Sequence, residues 1–262
     1  MSVVIQIDKL GKVFSNNAVL DGVSLQIPTG AVVGLLGTNG SGKSTLIKCL
    51  LGLLRPTFGS ASIFGEDVWN LSADAKSQIG YVPQEVKLYP WMTVQQVIEY
   101  TSAFYAKWNC SWVDELIDRW RIDTSSVVLS AGENQRLALI LAMGHRPELM
   151  ILDEPVASLD PVGRREFLRS LLELTTGQPR TVLFSTHITS DLERVASHVA
   201  ILQDGRITRF TELDTLKDQF KRIRIRSAEE LPSSFHVRGA LRTRVEGANA
   251  LVSIPDVDDD LL

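Results

Sequence analysis

The sequence predicts an α/β fold with a parallel core sheet and a small C-terminal β appendage. Apolar runs of strand length alternate with segments of helical periodicity, and a glycine-rich loop joins one of these runs to a helix. After residue 220 the pattern changes to an alternation of charged and apolar residues. We therefore expect one large domain over residues 1–220 and a small β domain over residues 221–262.

The composition is that of a folded, soluble protein: 44% of the 262 residues are hydrophobic and 22% are charged. The net charge of −4 argues against nucleic acid as a partner, because domains that bind it are usually basic. Two cysteines, Cys49 and Cys110, are too few for a disulfide framework and favour the cytoplasm. We find no signal sequence and no apolar run of roughly 18 residues. If the protein works at a membrane, another chain is expected to supply the membrane part.

The spacing of apolar residues predicts the individual elements. Residues 31–36 form a continuous apolar run, which is typical of a strand buried on both faces. From Ser44 to about Pro56 apolar residues recur at helical spacing, and residues 86–143 are mostly of helical periodicity, which predicts a helical subdomain at about 86–145. Further strands are expected at 3–7, 23–27, 149–152 and 181–185, with a helix between the last two and a hairpin at 200–208.

The C-terminal segment is basic at its start and acidic at its end. Residues 221–226 alternate arginine with isoleucine after Lys221, and two alternating stretches flank residues 246–249. A basic strand could contact phosphate, but a half-buried strand with one solvated face explains the same alternation. Asp256 and the aspartates at 258–260 have no ligand spacing, so we expect a solvated tail.

A phosphate-binding loop follows the strand at residues 31–36. Residues 37–44 fit the pattern of glycine, any four residues, glycine, lysine, and serine or threonine. Backbone N–H groups of such a loop surround a polyphosphate, Lys43 reaches its β- and γ-phosphates, and Ser44 binds Mg²⁺. The expected ligands of this loop are therefore a polyphosphate and Mg²⁺. The residues expected to bind the nucleotide are Gly37, Thr38, Asn39, Gly40, Ser41, Gly42, Lys43, Ser44 and Thr45.

Two acidic residues follow the apolar run at 149–152. Asp153 and Glu154 would emerge at the carboxyl edge of the sheet, where ligands of open α/β sheets bind. We expect Asp153 to bind Mg²⁺ and Glu154 to act as the general base that activates the attacking water. Together with the phosphate loop, these acids predict hydrolysis of the bound polyphosphate.

The chain resembles the nucleotide-binding subunits of ATP-binding cassette (ABC) transporters over residues 3–220. Several short motifs carry this resemblance, and they occur in the same order along the chain as in the family. The segment 129–136, Leu-Ser-Ala-Gly-Glu-Asn-Gln-Arg, is similar to the family signature Leu-Ser-Gly-Gly-Gln. The other matching positions are Phe14 as the residue that stacks on adenine, Gln84 of the Q-loop, Ser158, Leu159 and Asp160 of the D-loop, and His187 as the switch histidine.

The resemblance implies a P-loop cassette with a parallel core sheet, an antiparallel β subdomain and a helical subdomain. It also implies ATP and Mg²⁺ as cofactors and a head-to-tail dimer around two ATP molecules, in which Ser130 and Gly132 of one cassette close on the γ-phosphate held by the other. His187 would act as a second catalytic residue and Gln84 as a Mg²⁺ ligand that senses the γ-phosphate. The second cassette is expected to be either an identical copy or a paralogue.

The resemblance further implies an integral membrane subunit as partner, and a location at the cytoplasmic face of the membrane. Residues 85–92 correspond to the docking region, although Tyr89 and Trp91 could equally pack on the cassette itself. The pattern around Trp108 and the helix that follows favour exporters of the ABC-2 type. The alternatives are a soluble ATPase of the same superfamily that acts on nucleic acid or ribosomes, and an ATP-binding regulator without turnover. Glu154 and His187 disfavour the regulator.

The signature departs from the family pattern at two positions. Ala131 stands where glycine is usual, and its methyl group would be strained at a positive φ. Glu133 stands where glutamine is usual and brings a negative charge close to a polyphosphate. We expect a weakened signature unless the carboxylate points away.

Overall fold

The structure is a computed structural model that describes residues 2–176, 180–232, 235–237, 240 and 242–255. Contacts divide the chain into two compact units, and the boundary lies between Phe210 and Thr211. The boundary expected from the sequence follows residue 220, so the two differ over one short helix. The acidic residues from Asp256 onward lie outside the described residues.

The first unit contains two β-sheets and all but one of the described helices. In chain order its elements are β1 (Val3–Phe14), β2 (Asn17–Pro28), β3 (Val32–Leu36), α1 (Lys43–Leu50), β4 (Phe58–Ile63), β5 (Glu66–Asp67), α2 (Ala73–Ser77), β6 (Ile79–Val82), α3 (Val94–Ser102), α4 (Cys110–Trp120), α5 (Ala131–Met143), β7 (Leu149–Leu152), α6 (Pro161–Thr175), β8 (Thr181–Thr186), α7 (Thr189–Val195), β9 (His198–Gln203) and β10 (Arg206–Glu212). The unit boundary falls within β10, after Phe210.

The core sheet runs in the order β10-β9-β3-β8-β7-β6. Its β3–β8, β3–β9, β6–β7 and β7–β8 pairs are parallel, as predicted from the alternation of strands and helices. β3 and β7 are buried along nearly their whole length because other elements cover both faces of the sheet. The carboxyl ends of β3, β6, β7 and β8 consequently lie along one edge, which carries the loops analysed below.

A second sheet of the first unit is antiparallel, in the order β2-β1-β4-β5. β1 is longer than the strand expected at residues 3–7. Register shifts against β2 occur between Ile7 and Leu10 and again before Val13. Such irregularities break the alternation that sequence periodicity detects, so the second half of β1 was missed.

The region over residues 86–143, expected to be mostly helical, contains three separate helices, α3, α4 and α5. α3, α4 and α5 begin after Thr93, Asn109 and Ser130, and each of these side chains accepts a backbone N–H of the first turn. α4 buries Trp112 and Trp120. Among the described residues, no helix is both long and apolar enough to cross a bilayer.

The second unit is a small β structure, as the alternating sequence predicted. It contains α8 (Leu213–Asp218), β11 (Phe220–Arg226), β12 (Arg242–Glu246) and β13 (Asn249–Pro255). β13 is the central strand and pairs antiparallel with β11 and with β12.

Candidate functional site

The loop between β3 and α1 depends on glycine at specific positions. Gly40 and Gly42 have φ values of +82° and +104°, which are unfavourable for residues with a Cβ atom. A Cβ on Gly42 would also lie 2.9 Å from the carbonyl oxygen of Val19. The loop therefore approaches β2 closely and turns directly into the helix.

The beginning of α1 is suited to an anion. Gly42 is the N-cap and supplies no side-chain hydrogen bond to the first turn, which contains no acidic residue. The buried hydroxyl of Ser41 has no hydrogen-bond partner in the described part of the chain. These unpaired donors, aligned with the positive end of the helix dipole, fit the phosphates of a nucleotide.

Lys43 is 6% exposed and is held by the loop itself. Its Nζ donates to the carbonyl oxygens of Gly37 at 2.8 Å and Thr38 at 3.1 Å. The same atom lies 3.4 Å from Oε1 of Glu154. The lysine thus neutralises a buried carboxylate.

Asp153 and Glu154 follow β7, and Ser185 at the end of β8 connects them. The Ser185 hydroxyl donates to Oδ1 of Asp153 at 2.7 Å and accepts the backbone N–H of Glu154 at 2.8 Å. Oε2 of Glu154 lies 2.8 Å from Nδ1 of His187. Burial of Tyr81, followed by the nearby charge of Asp153, raises the pKa of the Tyr81 phenol.

Ser185 is a site residue that was not predicted from the sequence, although it lies two positions before His187. The available signal was a hydroxyl residue at the carboxyl end of a fully buried apolar strand. Such a residue needs a polar partner, because a buried hydroxyl without one is costly.

These elements surround a cavity of about 270 Å³. Six phosphate-loop residues meet there with Gln84 and Glu154, and Val19 of β2 completes the wall. Gly37, Thr38 and Ser41 do not line the cavity. The lining residues are Val19, Asn39, Gly40, Gly42, Lys43, Ser44, Thr45, Gln84 and Glu154.

Two oxygen atoms of this cavity, and a third next to it in the chain, suit a hard cation such as Mg²⁺. Oγ of Ser44 lies 3.4 Å from Oε1 of Gln84, and both residues line the cavity. Asp153, which precedes the lining residue Glu154, is almost fully buried and does not line the cavity itself. Hydroxyl, amide and carboxylate oxygens are the ligand types that Mg²⁺ prefers. Within the described ranges, no group of three or more His, Cys, Asp or Glu residues could hold a metal by itself.

Phe14, expected to stack on adenine, lies at the end of β1. Its ring is 43% exposed and does not line the cavity. The Lys12 ammonium lies 4.9 Å from the ring centroid, a cation–π contact that leaves part of the ring accessible.

The signature segment forms the N-terminus of α5 and does not line this cavity. Ser130 is the N-cap, and its hydroxyl accepts the N–H of Glu133 at 3.3 Å. The Glu133 carboxylate bonds back to the Ser130 hydroxyl at 2.6 Å and to its N–H at 2.8 Å. Those two hydrogen bonds, first the one from the hydroxyl, lower the pKa of Glu133.

Ser130 and Glu133 thus form a capping box at the start of α5. The two departures from the family pattern, Ala131 and Glu133, have different consequences there. Ala131 is not among the described residues with positive φ, so its methyl group is unstrained. The Glu133 carboxylate does not point away, because it holds the Ser130 hydroxyl, and its charge remains at the signature. Gly132 is tolerant of a Cβ, which would lie 3.4 Å from the Ser158 carbonyl oxygen.

A further contact links the signature helix to the D-loop. Asp160 is the N-cap of α6 and accepts the N–H of Gly163 at 2.6 Å. Nη2 of Arg136, on α5, lies 3.6 Å from Oδ1 of Asp160. The sequence motifs predict the signature and the D-loop as segments of the site. The contact between them could not be predicted, because it depends on how α5 packs against α6.

A glycine-rich loop between a parallel strand and a helix, with acidic residues at the end of a neighbouring strand, defines the P-loop nucleoside triphosphatases. A family model described as "ABC transporter" matches residues 20–157. The chain belongs to the ABC transporter family, and it is an ATP-binding subunit and an ATPase.

Three comparisons illustrate the relationship. The bacitracin transport ATP-binding protein BcrA of Bacillus licheniformis is 32% identical over 221 residues, which are 83% of this chain and 72% of that protein. The Nod factor export ATP-binding protein I of Paraburkholderia xenovorans (strain LB400) is 32% identical over 212 residues, 77% of this chain and 68% of that protein. A solved ATP-binding subunit of an ABC transporter superposes with a TM-score of 0.74 at 28% identity, and the match covers 82% of this chain and 92% of that one.

Proposed function

We propose that this chain pairs head-to-tail with a second cassette around ATP and Mg²⁺, and that it drives a separately encoded membrane subunit of an exporter. The second cassette would be an identical copy or a paralogue, and the location the cytoplasmic face of the membrane. The names of the relatives, bacitracin transport and Nod factor export, support the functional class.

The observation that carries the proposed pairing is the separation of the two phosphate-binding elements. The phosphate loop and Glu154 line one cavity, whereas Ser130 and Gly132 do not line it. A signature that is to contact the γ-phosphate must therefore come from another chain. The N-terminus of α5 carries the positive end of a helix dipole, which suits it to this contact.

In the proposed mechanism Lys43 is the group that changes partners. In the structure its ammonium lies between loop carbonyls and Glu154. Phosphate binding would transfer the ammonium to the nucleotide and leave the Glu154 carboxylate free to accept a proton from water. His187, bonded to the other carboxylate oxygen, would position Glu154, and Ser185 would fix its backbone.

Ser44, Gln84 and Asp153 would hold the Mg²⁺ ion. The ion supplies charge neutralisation at the β- and γ-phosphates. Gln84 lies exposed in the loop after β6, between the cavity and the start of the helical region. A change at the phosphate would therefore pass to residues 85–92 through this side chain.

The proposed docking face is the surface around residues 85–92. A cavity of about 500 Å³ lies between Leu88, Tyr89 and Pro90 on one side and Val127 and Leu129 on the other. This cavity is open and mainly apolar in its lining, which suits a partner segment with large apolar side chains.

The pairing can be tested by mixing two inactive variants. In a head-to-tail dimer of Lys43→Ala with Ser130→Ala, one composite site keeps both a native phosphate loop and a native signature. We expect ATP hydrolysis of the mixture to exceed that of either variant alone by several-fold. A double variant with both changes in one chain, mixed with itself, is the control and stays inactive. Failure of the mixture to recover activity, although each variant folds and mixed dimers form, would contradict pairing in trans.

A further inference from the structure

The C-terminal sheet has one apolar and one strongly basic face. Along β13, Ala250 and Val252 are buried, and the strands on either side contribute Ile225 and Val245 at half-buried positions. Alternation places the intervening residues on the opposite face, where Arg224 and its neighbours are exposed.

Three arginines meet on that opposite face. Arg224 of β11 and Arg244 of β12 both pair with Leu251 of the central strand, and Arg226 pairs with Asn249. Together with Glu246 and Ala250, these residues line a cavity of about 330 Å³. We call Arg224, Arg226 and Arg244 the arginine face.

The charges on this face are poorly balanced. Nε of Arg244 lies 2.9 Å from Oε1 of Glu246, the carboxylate residue in the cavity lining. In the described part of the chain, neither Arg224 nor Arg226 forms an ion pair.

This arrangement is costly for the sheet alone. Arg224 and Arg226 lie two positions apart on one face of β11, and Arg244 lies on the same face across the central strand, so their like charges repel one another. A solvated sheet face needs no arginine in particular. The basic cluster also occurs in a chain whose net charge is −4. Local features that oppose stability are expected where a surface has a function.

We propose that the arginine face is a binding site for phosphate groups. A guanidinium donates two parallel N–H bonds to one phosphate, and arginine is favoured over lysine wherever this geometry matters. The chemistry of recognition is the same for the phosphate of a lipid head group and for a soluble polyphosphate. The site is separate from the phosphate loop and does not depend on the proposed pairing.

The test uses the full chain with saturating MgADP, which fills the phosphate loop in every sample. One arm measures co-sedimentation with vesicles of phosphatidylcholine, alone or mixed with phosphatidylglycerol, and the other titrates inorganic pyrophosphate. The test variant is Arg224→Gln with Arg226→Gln and Arg244→Gln. The control variant, Lys48→Gln with Lys76→Gln and Arg165→Gln, removes the same charge from exposed positions of the first unit.

We expect the unaltered chain and the control variant to bind at least one probe about tenfold more tightly than the test variant. Binding to phosphatidylglycerol vesicles alone identifies the lipid head group, and binding of pyrophosphate identifies a soluble ligand.

A third variant with lysine at the same three positions keeps the charge and should bind more weakly than the unaltered chain. The proposal is overturned if the unaltered chain binds neither probe, or if the glutamine variant binds both as well as the control. Retained ATP hydrolysis and an unchanged circular dichroism spectrum show that each variant is folded.

Discussion

Glu154 is the residue at which most constraints of the site converge. Its backbone has a φ of +49°, which is unfavourable for a side chain of this type. Its carboxylate is shared between Lys43 and His187, and its N–H is bonded to Ser185. Strain that persists because surrounding groups determine it is typical of functional sites, and it supports the proposed role of Glu154 as the base.

The negative charge of Glu133 in the signature can be tested by a single substitution. Glutamine can replace it in the capping box, so the start of α5 should remain intact while the negative charge is removed. We expect Glu133→Gln to raise ATP hydrolysis about three- to tenfold, equivalent to roughly 1 kcal/mol. Steady-state phosphate release measures this.

Glu133→Ala is the control for the cap, because it removes charge and capping together and should lower the stability of the fold by about 1 kcal/mol. If Glu133→Gln hydrolyses ATP at the unaltered rate, the carboxylate does not weaken the signature.

The strands and helices that were predicted correctly are those whose local sequence pattern agrees with their tertiary environment. β3, the phosphate loop and α1 were predicted because a buried parallel strand is uniformly apolar and the loop has a fixed motif. α1 ends at Leu50, earlier than its apolar spacing suggested, because the chain adopts a positive φ at Gly52.

Other features could not be predicted because they arise from packing. The register shifts of β1 depend on its pairing with β2 and β4. The contact between Arg136 and Asp160, and the bridge from Ser185 to the two acids, join segments that are distant in sequence. The order of the motifs predicted which segments form the site but not these connections.

The loop before α3 and that helix expose a connected group of aromatic side chains. Rings of Tyr89 and Trp91 lie 5.5 Å apart, as do those of Tyr89 and Tyr100, and Tyr100 lies 5.1 Å from Phe104. Trp91 is 70% exposed and Phe104 is 68% exposed. The aromatic residues pack on one another and still leave a large accessible surface, which is unusual unless a partner covers it.

We therefore expect Trp91→Ala to reduce co-purification of the membrane subunit about tenfold, with basal ATP hydrolysis of the isolated chain unchanged. Trp69→Ala is the matched control, because Trp69 is also exposed, at 49%, but lies outside this group. Quantitative mass spectrometry of the captured membrane fraction is the measurement. Equal recovery with both variants would place the docking face elsewhere.

At the scale of the whole molecule, the chain combines an ATPase cassette with a small separate β unit. The first unit contains every residue proposed for nucleotide binding and hydrolysis. The second unit contains the arginine face and none of those residues. The two proposals can consequently fail independently, since each is tested by substitutions in a different unit.

In the proposed mechanism Glu154 activates water in an ATP-bound dimer, and its substitution tests this role most directly. Glu154→Gln should retain ATP binding, lower hydrolysis at least about 100-fold and accumulate an ATP-dependent dimer, because removal of the base leaves the bound ATP uncleaved. Light scattering after size-exclusion chromatography with MgATP, together with phosphate release, measures both effects, and Glu230→Gln in the second unit is the control. A variant that stays monomeric with ATP and hydrolyses it at the unaltered rate would contradict the account.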